Sequence, residues 1–84
     1  MSFTVIWRPT AQQRLARLWI DSSDRQAVTA AANDIDRFLK HDPLHHGESR
    51  FGSTRLLIHR PLAVYYDVSE DDRIVTVWAV WHLP

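Results

Sequence analysis

Gly47 to Val68 reads GESRFGSTRLLIHRPLAVYYDV, and the fold turns on how this stretch is understood. Thr54 to His59 and Leu62 to Val68 carry the β-branched and aromatic side chains of two strands, and His59-Arg60-Pro61 makes a tight turn between them. Successive strand side chains point to opposite faces. Such a hairpin therefore builds one apolar face and leaves the other free to carry chemistry. Arg50, Arg55 and Arg60 all fall inside the stretch, and no acid intervenes between Glu48 and Asp67.

Elements flank this hairpin on both sides. Phe3 to Trp7 alternates and stops at Pro9, which suits a first strand. Thr10 with Gln13 fits a capping box, and Ala11, Leu15, Leu18 and Trp19 recur at helical spacing until Asp21-Ser22-Ser23. A second capping box, Ser23 with Gln26, has Asp24 in its first turn. It opens a helix whose stripe is Val28, Ala31, Ala32, Ile35, Phe38 and Leu39. That helix stops before Pro43, since the residue ahead of a proline disfavours helical geometry. His41 to Gly52 reads as loop, with a short extended piece at Glu48 to Phe51. Ser69-Glu70-Asp71-Asp72 turns the chain into a last strand, Ile74 to Trp81.

The fold class is therefore α+β in the order β-α-α-β-β-β, one domain over residues 1–84. The sheet is small and mostly antiparallel. Two helices cannot cover both of its faces, so they pack as a hairpin on one and leave the other open. Strand parity assigns Leu62, Val64, Tyr66 and Val68 inward, and Ala63, Tyr65 and Asp67 to the open face. By the same rule Leu56 and Ile58 go inward, while Arg55, Leu57 and His59 go outward. In the last strand Ile74, Thr76, Trp78 and Val80 are placed inward, leaving Val75, Val77, Ala79 and Trp81 outside. This strand is apolar on both sides, and either register leaves an exposed hydrophobic band of the kind that marks a partner surface.

Composition narrows the function classes. The 84 residues are 45% apolar with four Trp, enough for a real core, and contain no cysteine for a disulfide or thiolate metal site. No stretch approaches the ~18 apolar residues of a membrane span, and the start lacks a signal-peptide pattern. A cytoplasmic protein is expected. Ten basic residues, nine of them Arg, balance ten acidic ones, which argues against strong nonspecific nucleic-acid binding. His41, His45, His46 and Asp42 match no zinc-ligand spacing, so no metal and no cofactor are expected. Arg14, Arg17, Arg25, Asp34, Asp36 and Arg37 read as solvated helix charges without chemistry.

At this point the chain resembles the RelE/ParE-type toxins of bacterial type II toxin–antitoxin systems over nearly its whole length. FTVIWRPTA resembles the family's first strand and helix start, IDRFLKHDP the end of its second helix, and GESRFGSTRLL the following loop and strand. LAVYYDV and DDRIVTVWAV resemble its last two strands. The resemblance implies a cognate antitoxin as partner. It also implies one of two activities, ribosome-dependent mRNA cleavage by an endoribonuclease or poisoning of DNA gyrase. RNA cleavage needs a base for the ribose 2′-hydroxyl, an acid for the leaving oxygen and cations for the phosphorane. The candidates are Arg55 for phosphate, His82 or His59 for proton transfer, and Tyr65 for the substrate base. Arg50 and Arg60 add attraction, and Trp81 is a surface anchor for a partner protein.

Two departures from the family stand beside these candidates. Ala63 falls where many cleaving members keep an arginine, and Trp81-His82-Leu83 stands where they often read G-K-R or G-H-R. The competing expectation is accordingly a non-catalytic binding protein, either a ParE-like gyrase inhibitor or a degenerate toxin that binds only its antitoxin. A homodimer joined through the last strand and Trp81 is a third reading.

Overall fold

A computed structural model describes residues 2–84. Strand β1 (Thr4–Trp7) leads into helices α1 (Pro9–Asp21) and α2 (Arg25–His41), followed by β2 (Glu48–Phe51), β3 (Thr54–His59), β4 (Leu62–Ser69) and β5 (Ile74–His82). The sheet order is β1-β5-β4-β3-β2, with β1 parallel to β5 and every other pair antiparallel. The extended piece at Glu48–Phe51 is thus a fifth strand and forms one edge of the sheet.

Both helices form where the apolar spacing places them, but they are capped differently from the sequence expectation. Proline, not Thr10, sets the start of α1. Its fixed φ suits the first helical position and its missing N–H is no loss there. Arg8 occupies the N-cap, without a side-chain cap. At α2 the N-cap is Asp24 rather than Ser23, and its Oδ1 accepts from the Ala27 N–H at 3.1 Å. Arg25 then reaches back to donate to the Trp19 and Ile20 carbonyls, satisfying orphan acceptors at the end of α1. Asp24→Ala should lower stability by about 1 kcal/mol, while Asp24→Asn should be nearly neutral, because an amide oxygen can accept the same bond. Thermal unfolding of the two variants checks this.

One face of α2, formed by Val28, Ala31, Ile35 and Leu39, is fully buried in a core shared with Leu57 of β3, Leu62, Val64 and Tyr66 of β4 and Val75, Val77 and Val80 of β5. Each of the buried Val, Ile and Leu side chains contributes about 1.5–3 kcal/mol. Leu15 and Leu18 of α1 pack against the same core. Both helices therefore lie on one side of the sheet, as expected from the element order.

β5 resolves the ambiguity of its own sequence through a bulge. Val75 and Val77 pair with Val68 and Tyr66, and after an irregularity at Trp78 the register resumes with Ala79 opposite Tyr65 and Val80 opposite Val64. The extra residue flips the parity. Val75 and Val77 therefore face the helices, contrary to the expectation, while Ile74 and Thr76 turn outward. Val80 stays inward, and Ala79 and Trp81 stay outward, as expected. A strand apolar on both sides fits a bulge because each half buries a different parity.

Candidate functional site

Parity in β3 is also the reverse of the sequence expectation. Arg55 pairs with Tyr66, Leu57 with Val64 and His59 with Leu62, so these three face the helices. Leu56 and Ile58 instead pair with Tyr65 and Ala63 on the open face. Three consecutive apolar residues, Leu56-Leu57-Ile58, allow either register. The helix-side one wins because it buries Leu57 in the core and delivers Arg55 to acceptors that need it.

Those acceptors belong to the loop between α2 and β2. One guanidinium nitrogen of Arg55 donates to the Leu44 carbonyl at 2.9 Å and the Gly47 carbonyl at 3.3 Å. The fully buried Tyr66 hydroxyl donates to the carbonyls of Pro43, at 2.7 Å, and His46. Burial pushes the Tyr66 phenol above its ordinary value, with the Arg55 charge pulling the other way. Gly47 lies against both, with φ +74°. A Cβ there would sit 2.6 Å from the Leu56 carbonyl oxygen and 2.8 Å from the Tyr66 hydroxyl. Arg55, Tyr66 and Gly47 form a clasp that holds the loop to the sheet. Arg55 is occupied by backbone and does not reach the open face.

His59 also leaves the open face. Its Nε2 lies 2.9 Å from Asp34 Oδ2 on α2, and its ring meets Phe38 edge-on at 5.1 Å. Asp34 is therefore more than a solvated helix charge. The His59 hydrogen bond holds its carboxyl below the ordinary value, against some opposing desolvation, and Arg37 at 2.7 Å adds to the lowering. A depressed carboxyl contributes stability that is present above its unfolded value, near 3.8, and lost as pH falls through the lower folded value. The wild type should therefore lose stability faster than Asp34→Asn below about pH 3.8, as read from urea midpoints in an acid series.

The remaining candidates separate further. His82 pairs with Leu62, and it lines a small cleft with Leu18, Asp21, Ser22 and Ser23 at the end of α1, on the helix side. Arg60 is exposed in the β3–β4 turn, and Arg50 is paired with Glu48 at 2.6 Å. Tyr65 and Trp81 do lie on the open face, as expected. There Tyr65 sits among three aromatics, with ring centroids 4.9 Å from Trp81, 5.2 Å from Trp78 and 5.8 Å from Phe51. Trp78, placed in the core by the sequence reading, is turned out by the bulge onto Tyr65. Tyr66, also placed in the core, is there.

Among the described residues, no Arg, Lys or His takes an open-face position in β1, β3, β4 or β5. The open face is instead apolar and aromatic, with Ile6, Phe51 and Ile58 exposed by 45%, 57% and 52%. Its charged members are Asp67, which accepts from the Thr54 hydroxyl at 2.8 Å, and Glu48 with its Arg50 partner. Proton transfer to or from a phosphodiester on this face would have only the Tyr65 phenol and carboxylates to draw on. The aromatic cluster was the feature missed from sequence. Its signal was the surplus of large apolar residues on both sides of β5.

Comparisons with known proteins agree with the architecture. Residues 5–83 match the family model of the ParE toxin of the type II toxin–antitoxin system, parDE. No curated protein matches the chain. Among solved structures it is similar to the toxin–antitoxin complex RelBE2 from Mycobacterium tuberculosis, at 19% identity and TM-score 0.82, over 98% of this chain and 92% of that one. It is also similar to the chromosomal ParDE system from P. aeruginosa, at 14% identity and TM-score 0.66, over 98% and 97% of the two chains. The isolated E. coli RelE toxin aligns at 14% identity and TM-score 0.70, over 98% and 85%. At these identities the structural likeness speaks for the fold alone.

Proposed function

Because this chain belongs to the ParE toxin family and is the toxin component of a type II toxin–antitoxin system, we propose that it acts by binding a protein target and not by cleaving RNA. The target proposed is DNA gyrase, the one that the ParE resemblance implies, and a cognate antitoxin neutralises the toxin. One observation carries the choice between the two activities. Arg55 and His59 face the helices, which leaves Arg50, already paired with Glu48 at 2.6 Å, as the cation of the open sheet face, with none unpaired there to hold a scissile phosphate. Cleavage of a phosphodiester at neutral pH needs developing negative charge to be met by preorganised donors. An aromatic surface beside Asp67 offers the opposite electrostatics. Neutral net charge points the same way, since RNA affinity rests on phosphate neutralisation.

The test is controlled expression of the full chain, followed by primer extension on cellular mRNA and by a supercoiling assay with purified gyrase. Growth arrest with uncut mRNA and inhibited gyrase is the expected result. Codon-phased cuts in mRNA would overturn the proposal. Arrest with neither effect would keep the binding mode and reject gyrase as the target.

A further inference from the structure

The open face has a chemistry of its own that the family assignment does not supply. Tyr65 lies at the centre of a platform completed by Phe51, Trp78 and Trp81. Asp67 follows Tyr65 at the next position on the same face of β4, and Thr54 donates the one hydrogen bond its carboxylate accepts. An ionised carboxylate can accept about four such bonds, so most of its capacity is open. The adjoining β4–β5 turn adds Glu70, Asp71 and Asp72. Aromatic faces attract cations through their quadrupole, and arginine in particular stacks on them while its fork pairs with a carboxylate. The apolar breadth of the face asks in addition for apolar side chains from the partner.

We propose that this face docks a segment of the toxin's protein target in which arginine alternates with apolar residues, the guanidinium lying against the aromatic cluster around Tyr65 and pairing with Asp67. The proposal rests on the reading that the toxin acts by binding a protein. It adds which face makes the contact and what chemistry the partner brings. Charge complementarity selects the occupant. An acidic segment or an RNA strand would meet Asp67 and the turn acids, while the nearby cations are engaged, Arg50 with Glu48 and Arg73 over the Phe3 ring.

Four indoles make the test selective, because Trp78 and Trp81 report on the open face while Trp7 and Trp19 lie toward the helices. The probe is a twelve-residue peptide of alternating Leu and Arg, compared with its Leu/Glu counterpart and with single-stranded RNA. Indole N–H resonances are followed by two-dimensional NMR on the intact chain. The Leu/Arg peptide should shift Trp78 and Trp81 and leave Trp7 and Trp19 in place. Asp67→Asn, which keeps the Thr54 bond, should weaken that binding about 3- to 10-fold, and Trp81→Ala about 10-fold or more. Stronger binding of the Leu/Glu peptide or of RNA, shifts confined to Trp7 and Trp19, or self-association without a peptide response would each overturn the proposal. In cells, both variants should relieve growth arrest. Variants that still arrest growth but escape the antitoxin would assign the face to the antitoxin and overturn it. Cut mRNA together with Trp78 and Trp81 shifts would sink the binding-toxin reading alone. Uncut mRNA without those shifts would sink the docking proposal alone.

Discussion

Gly47→Ala should destabilise the protein by about 3 kcal/mol, a large share of the roughly 4–13 kcal/mol expected for a domain of this size. Two separate penalties combine. The backbone there has φ +74°, a conformation that costs an L side chain about 1 kcal/mol. The new Cβ would also lie 2.6 Å from the Leu56 carbonyl oxygen and 2.8 Å from the Tyr66 hydroxyl. Neither neighbour yields easily, because Leu56 is in the β3 ladder and Tyr66 is fully buried and bound to the loop carbonyls. Gly52 provides the control. Its φ is +56°, yet a Cβ there meets nothing within 4 Å. Gly52→Ala should therefore cost only the backbone part, about 1 kcal/mol. Thermal unfolding of the two variants should separate by roughly 10 °C. Equal midpoints would mean that the loop moves aside and that the clasp is not a rigid element.

The clasp also shows where the sequence was legible and where it was not. Helix spacing was clear because Val28, Ala31, Ile35 and Leu39 fall on a single stripe with charges between them. Element order and the one-sided helix pair followed from that, together with the hairpin at Arg60-Pro61. Facing was harder. Leu56-Leu57-Ile58 gives β3 an apolar residue at either parity, so the expectation leaned on the rule that arginine and histidine point to solvent. The rule fails here because the helix side is not uniformly apolar. Loop carbonyls await Arg55 and the Asp34 carboxylate awaits His59, and neither partner is adjacent in sequence. The bulge at Trp78 was hidden for a related reason, as no glycine or proline marks it. Of the candidate site, Tyr65 was legible because β4 alternates cleanly, whereas Trp81 faces outward as expected because the bulge at Trp78 restores that parity in the second half of β5. The candidate roles of Arg55, His59 and His82 depended on parities that only packing decides.

Arg55 is the residue at which a catalytic and a structural account diverge most, and Arg55→Ala separates them. On the geometry observed, the guanidinium binds the Leu44 and Gly47 carbonyls. Its Nε is buried without a partner, a cost that truncation would remove and that offsets part of the loss of the other bonds. Truncation would remove both bonds from carbonyls of exposed loop residues, where water can take over part of the role. The expected loss is about 1–2 kcal/mol, read as a lower urea midpoint, with Arg55→Lys intermediate because a shorter side chain with a single ammonium reaches the loop carbonyls less well. Activity per folded molecule should hold, so growth arrest should fall only as far as the folded fraction falls. A phosphate-binding arginine predicts the reverse pattern, in which the folded protein keeps its stability and loses its toxicity. Stability and toxicity measured on the same variant therefore decide whether Arg55 holds the loop or a substrate. Unchanged stability with lost toxicity would return the nuclease to first place, despite the orientation of β3.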